Sequence, residues 1–326
     1  MKPAAVEAAH ERLKAHITRT PILRSHLLNR FLGTDISFKY EGAQKVGAFK
    51  ARGALNTLLR LRETKKMPLE AVAYSSGNHA QAVAWAAKQM GIKATVVIPA
   101  GASKVKVAAT EAYGAEVIIA KTRGEAEETA KKLASRAGTF LLPPYDHDDV
   151  IAGQGTAAFE AWQEEKNFDA VFAPCGGGGL ISGTFLATRL FSKEAKIFAA
   201  EPSIANDAAR SYHTGKIFRF HDAPKTIADG ARTLGISERT FHYIDQLDGF
   251  YEISETEILY WSQWLMHLLK VTVEPTAALG MAAAHKWLGE GNRNKRVLVI
   301  LSGANLDSET YGKIWAHDHL SKLPAI

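Results

Sequence analysis

From residue 71 onward, short runs of apolar residues alternate with stretches of helical periodicity, and that alternation leaves few folds open. AVAYSS (71–76), ATVVIPA (94–100), AEVIIA (115–120), AVFAPC (170–175), KIFAAEP (196–202) and RVLVILSG (296–303) are apolar nearly throughout. A strand wetted on one face would alternate polar and apolar residues; continuous apolarity means burial on both faces. Between these runs lie helical patterns at 78–90, 105–114, 124–138 (with Gly138 as C-cap), 155–165 and 180–191, and two more at 255–269 and 276–288. The alternation predicts an α/β fold of mainly parallel twisted sheets flanked by helices. A chain of 326 residues exceeds what one core usually holds, and Pro143-Pro144 interrupts the pattern, so two lobes are expected.

The remaining totals mostly exclude. The net charge of +6 hints at an anionic ligand, but the basic residues are scattered, which argues against a nucleic-acid partner. The single cysteine, Cys175, allows no intrachain disulfide and suits a reducing compartment. No run approaches the roughly 20 apolar residues of a membrane span. Glu7 and Glu11 stand where a signal peptide would be apolar, so a cytoplasmic protein without membrane contact is expected.

In doubly covered parallel sheets, ligands gather where strands end and helices begin, and four such junctions are unusual. PCGGGGLISG (174–183) has four glycines between a strand and a helix. Either it is a tight turn, or it brings backbone N–H groups and a helix N-terminus against a phosphate. It is neither a nucleotide P-loop nor the spaced glycine motif of dinucleotide sites. SSGNH (75–79) gathers hydroxyl, amide and imidazole groups at a helix start, fit to hold a small carboxylate or simply to cap the helix. Ser302 in LSGANLD (301–307) either contacts a ligand ring or caps a turn. In EPSIAND (201–207), Glu201 and Asp207 suit a hard divalent cation as well as they suit a solvated loop. Cys175 reads as a small buried residue, and DHDD (146–149) as a helix start. Lys50 follows Gly-Ala-Phe in EGAQKVGAFKARGALN (41–56), as an ordinary helix lysine or a reactive one; Lys45 and Arg52 read as surface or structural.

Together these motifs resemble one family. KYEGAQKVGAFKARGALN, SSGNHAQAVA, VIAGQGT (150–156), PCGGGGLISG, EPSIAND, TIADGA (226–231), VEPTAALG (273–280) and LSGANLD occur in this order in fold type II (tryptophan-synthase-β-like) pyridoxal-phosphate enzymes, in the serine/threonine dehydratase and serine racemase group. The resemblance runs from about residue 17 to 307. It implies pyridoxal 5'-phosphate bound through Lys50, which also serves as base at the substrate α-carbon. Phe49 packs on the cofactor ring and Asn78 bonds its 3'-oxygen. Gly176, Gly177, Gly178, Gly179 and Leu180 cradle the phosphate, Ser302 faces the pyridine nitrogen, and Glu274 lies near the ring. Ser75, Ser76, Asn78 and His79 take the substrate carboxylate, while Glu201, Ala205 and Asp207 hold Mg²⁺ or Ca²⁺. It further implies a homodimer, with residues 1–47 plus 141–326 as the large cofactor-binding domain and 48–140 as a small domain closing over an amino-acid substrate.

The implied reaction is β-elimination of L-threonine or L-serine to a 2-oxo acid and ammonia. A neutral serine opposite the ring nitrogen makes a weaker electron sink than a carboxylate would, which favours prompt loss of a leaving group. The alternatives are a serine racemase, with Ser76 as the second acid/base, and a 3-hydroxyaspartate dehydratase, which needs a further cation for the distal carboxylate. A silent amino-acid-binding protein would have no need of Lys50. Ala48 and Ala304 depart from the residues commonest in the group, serine and glycine, which leaves the substrate more open than the reaction class.

Overall fold

The computed structural model describes residues 1–325. Ten strands are formed: β1 (Ile22–Leu23), β2 (Asp35–Tyr40), β3 (Glu70–Tyr74), β4 (Lys93–Pro99), β5 (Glu116–Ala120), β6 (Thr139–Leu141), β7 (Ala170–Pro174), β8 (Lys196–Pro202), β9 (Gly249–Ile253) and β10 (Arg296–Leu301). They make a six-stranded sheet in the order β1-β2-β10-β7-β8-β9 and a four-stranded sheet in the order β5-β4-β3-β6. Every pairing is parallel except β1 with β2. This is the α/β architecture expected from the apolar runs.

Both faces of each sheet are covered, which explains the unbroken apolarity of the central strands. On the six-stranded sheet, Phe172 and Val299 pack with Trp261 and Trp287 on one side. On the other, Val171 and Leu298 pack with Phe159 and Ile181, from the helices Asp148–Glu164 and Gly179–Phe191. The four-stranded sheet packs against the helices Lys50–Glu63 and Asn78–Met90 on one face and Arg123–Ala134 on the other. Among the described residues no helix is long and apolar enough to cross a membrane.

Four strands lack a run in the sequence. β2 reads DISFKY, and its polar Ser37 and Lys39 are buried with partners, so burial left no apolar signature. β1 and β6 are two and three residues long, and β9 is an edge strand. Gly138 is not the helix cap expected of it. The helix stops at Ala134, and Gly138, at φ +77°, turns the chain into β6.

Candidate active site

The C-terminal ends of β3, β7 and β10 open into one cleft of about 1150 Å³ between the two sheets, as the crossover geometry of parallel sheets dictates. Phe49, Lys50, Ser75, Ser76, Asn78, His79, Gly176, Gly177, Gly178, Gly179, Leu180, Glu274 and Ser302 all line it. Residues up to 253 positions apart in the chain thus meet at one place (Phe49 and Ser302).

Backbone hydrogen bonds fix that meeting. Phe49 N–H donates to the Ser302 carbonyl at 3.1 Å, Ala48 pairs with Gly303 as an antiparallel bridge, and Ala304 N–H donates to Gly47 O at 3.0 Å. The helix Lys50–Glu63 begins immediately after this stitch. Lys50 Nζ donates to Pro144 O at 2.7 Å and lies 4.9 Å from the Phe49 ring centroid. Burial pushes the Lys50 amine down to about 7, against an opposing pull from the Glu274 carboxylate. An amine so poised is partly neutral near physiological pH, the form that can serve as nucleophile or base.

Glu274 sits at the centre of a short network. Asn78 Nδ2 donates to both of its oxygens at 3.1 and 3.0 Å, and Asn305 N–H donates to Oε2 at 3.2 Å. Asn305 Nδ2 in turn donates to Asn78 Oδ1 at 2.8 Å, so the Asn78 amide has one orientation. Burial first, and the Asp229 charge second, push the Glu274 carboxyl up to about 7. Ser302 is almost wholly buried and its Oγ has no hydrogen-bond partner, a group aimed at something the chain itself does not provide.

The glycine loop is tightly packed and opens a helix that no side chain caps. A Cβ on Gly177 would fall 2.1 Å from the Tyr145 ring, and Gly178 holds φ +88° as the N-cap of the helix Gly179–Phe191. No side chain caps that helix, so its first N–H groups face the cleft, where they suit a phosphate. The loop 75–79 is similar: Gly77 N-caps the helix Asn78–Met90 without a side-chain cap, and Ser75 Oγ accepts from Gly77 N–H at 3.3 Å. His79 reaches the cleft, but its Nε2 bonds Leu142 O at 2.9 Å and burial pushes the imidazole down to about 3. The neutral ring donates to Leu142, which leaves its backbone N–H as the donor that this residue offers an anion.

Glu201 and Asp207 lie outside the cleft lining, and both are buried, as is Ala205. Glu201 Oε2 accepts from Ala209 N–H at 3.0 Å, Asp207 Oδ1 accepts from Thr233 Oγ1 at 3.2 Å, and Glu201 Oε1 is buried without a partner. Desolvation holds both carboxyls above the usual carboxylate range, and each charge raises the cost of the other. No group of three or more His, Cys, Asp or Glu side chains is placed to hold a metal among the described residues.

Three residues of the site had no sequence signal that singled them out. Gln154 Nε2 shares Pro144 O with Lys50, Tyr145 walls the cradle, and Asn305 locks Asn78. Gln154 and Asn305 lie within the quoted motifs, whereas Tyr145 follows the Pro-Pro break.

A half-neutral lysine, an uncapped phosphate cradle and an orphaned buried hydroxyl fit an aldehyde, a phosphate and a ring nitrogen carried by one molecule, pyridoxal phosphate. Known proteins of similar sequence and structure agree. Residues 13–303 match the family model described as pyridoxal-phosphate dependent enzyme. The chain is 44% identical to the L-threo-3-hydroxyaspartate ammonia-lyase of Saccharomyces cerevisiae and 42% to the serine racemase of Schizosaccharomyces pombe, each over 94% of both chains. The structure of maize serine racemase superposes with a TM-score of 0.90 at 34% identity, over 98% of both chains. The chain therefore belongs to the pyridoxal-phosphate dependent enzymes of fold type II, within their branch of ammonia-lyases and racemases.

Proposed function

We propose that the protein is an ammonia-lyase that eliminates the β-hydroxyl of 3-hydroxyaspartate, giving a dicarboxylic 2-oxo acid and ammonia. The observation that carries this is Arg123, the first residue of the helix Arg123–Ala134, on the cleft wall. Its Nη1 donates to Arg232 O at 2.7 Å, and no carboxylate pairs with it among the described residues. Of the other cations lining the cleft, Lys106 pairs with Asp229 and Lys313 with Glu309, and Arg232 donates through both Nε and Nη2 to Thr226 O; Lys225, like Arg123, pairs with no carboxylate among the described residues. Arg123 supplies the further cation that a distal carboxylate requires. Serine and threonine lack that group, so their dehydration is the slower reaction of the same site. The resemblance to a hydroxyaspartate ammonia-lyase supports this order of preference.

Bound pyridoxal phosphate supplies an aldehyde for covalent linkage and a conjugated ring that draws electron density from the substrate α-carbon. The protein does the rest. The N–H groups opening the helix Asn78–Met90, with Ser75 and Ser76, bind the α-carboxylate. Lys50, released as a neutral amine, takes the α-proton, and Pro144 O holds one of its N–H bonds so that the lone pair is directed. The buried, unpartnered Ser302 hydroxyl would face the ring nitrogen as a neutral partner. Residues 48–140, which carry Lys106 and Arg123 to the cleft mouth, form the lobe that closes over the substrate. Glu201, the Ala205 carbonyl and Asp207 would hold a divalent cation, which would offset the cost of burying two carboxyls together. Racemisation is the second reading: Ser76 lines the cleft with Lys50, and a serine racemase is among the relatives.

A panel of L-threo-3-hydroxyaspartate, L-serine and L-threonine, with 2-oxo acid and enantiomer readouts, tests the proposal. Arg123→Gln should raise KM for hydroxyaspartate by roughly 10- to 100-fold, the worth of a charged hydrogen bond, and leave serine unchanged. A wild-type preference for serine or threonine, or an equal loss on all three substrates, would overturn it. D-Serine as the main product from L-serine would favour the racemase.

A further inference from the structure

Arg52, two residues beyond Lys50, has no surface exposure at all. Residues two apart on a helix point to nearly opposite sides, so Lys50 faces the cleft while Arg52 enters the core. Its guanidinium is held by two carboxylates. Nε and Nη2 donate to Glu41 at 2.6 and 2.8 Å, and Nη1 and Nη2 donate to Glu160 at 2.7 and 2.9 Å. Thr156 and Thr20 hydroxyls complete the set at 3.2 and 3.3 Å. Lys39 Nζ joins from β2, donating to Glu160 at 2.7 Å and Thr20 O at 2.6 Å. Two cations and two anions are thus buried in one neutral cluster.

Such a cluster is a weak source of stability, because desolvation offsets most of the attraction and apolar residues of similar volume often do as well. What the planar fork adds is direction: two bidentate contacts fix both the rotation and the height of the helical turn that bears it. Lys39 and Glu41 belong to β2 and the segment after it, and Glu160 to the helix Asp148–Glu164, all on the six-stranded sheet. Further along, the helix Lys50–Glu63 packs with the four-stranded sheet through Leu55, Leu58 and Leu59 and also lies against the helix Asp148–Glu164, where Asn56 Nδ2 donates to Asp149 O at 2.6 Å. The backbone stitch ends at Phe49, and in the first turn beyond it Arg52 is the side chain that joins Glu41 and Glu160.

We propose that Arg52 is the positioning residue of the reactive lysine: clamped by Glu41 and Glu160, it ties the first turn of the helix Lys50–Glu63 to the six-stranded sheet and keeps Lys50 in register with Ser302 and the glycine cradle. Arg52→Lys tests this, because it keeps the charge and loses the fork. The readouts are melting temperature, cofactor affinity by visible absorption, kcat, and the pH at which Lys50 of the cofactor-stripped protein becomes half-reactive toward acetic anhydride, followed by peptide mass spectrometry. In folded R52K, the half-reactive pH should rise toward that of an ordinary lysine as the amine loosens into solvent. Cofactor affinity should weaken, and kcat should fall on the order of 100-fold, as for a misplaced catalytic group. Arg52→Met should show the same shift without rescue. A folded R52K whose only change is a lower melting temperature would overturn the proposal. If R52K fails to fold, Thr156→Val, which removes a single contact of the fork, should shift the Lys50 reactivity in the same direction, and an unchanged profile there would also overturn it.

Discussion

Replacing Lys50 by methionine should make the cofactor-free protein more stable at low pH, and by an amount that shrinks as pH rises. The lysine is the proposed reactive residue, so this predicts a gain in stability from removing it. An unfolded lysine titrates near 10.5, whereas burial brings the folded one to about 7. Between those values the unfolded chain binds more protons than the folded one, so wild-type stability rises with pH across that window and the penalty is full below it. At about 1.4 kcal/mol per unit, the penalty is roughly 5 kcal/mol at pH 6 and about 2 kcal/mol at pH 9. K50M carries none of it, and it also loses the charge that interacts with Glu274, whose own titration lies in the same window. Urea denaturation of both cofactor-stripped proteins from pH 6 to 9 should therefore show a difference that narrows by about 2–3 kcal/mol. A difference that stays flat with pH would mean that Lys50 is solvated, and the neutral-base argument would fail with it.

Two further outcomes follow from the same geometry. Gly177→Ala drives a methyl into the Tyr145 ring at 2.1 Å, so it should destabilise by about 1–3 kcal/mol and weaken cofactor binding, with Tyr145→Ala restoring stability in the double variant; melting curves with and without pyridoxal phosphate measure both effects. Chelation should lower the melting temperature and Mg²⁺ should restore it, while Asp207→Asn, which removes one of two buried like charges, should stabilise the chelated protein and blunt the response to Mg²⁺.

The parallel sheets were legible because β7 and β10, buried on both faces, had to be apolar almost throughout. β2 was not, since Lys39 is buried by pairing with Glu160 rather than by being apolar, and a hydropathy pattern records only the latter. The glycine loop was legible for a related reason: four small residues in succession leave backbone as the only chemistry. Lys50 became legible through its motif, while Arg52 in the same motif was assigned no more than a surface or structural place. Nothing in its spacing reports that Glu41 and Glu160, 119 residues apart, converge on it. Asn305 and Gln154 show the same limit, because their significance lies in which amide faces which carbonyl.

The site's electrostatics explain why so much of its anion binding falls to backbone. Lys50 and Glu274 both titrate near neutrality, His79 is neutral, and Ser302 carries no charge. A cleft lined with fully charged versions of these groups would hold an amino acid well but would leave Lys50 unable to accept a proton. In the proposed reading, the fixed attraction for a phosphate and an α-carboxylate would come from two uncapped helix N-termini, at Gly179 and Asn78, whose partial charge is independent of pH. On the same reading, Arg123, on the cleft wall, is the cation for a second carboxylate. The division separates binding from proton transfer: the first should persist across the pH range over which the second switches on, so KM should vary less than kcat as pH is raised through 7.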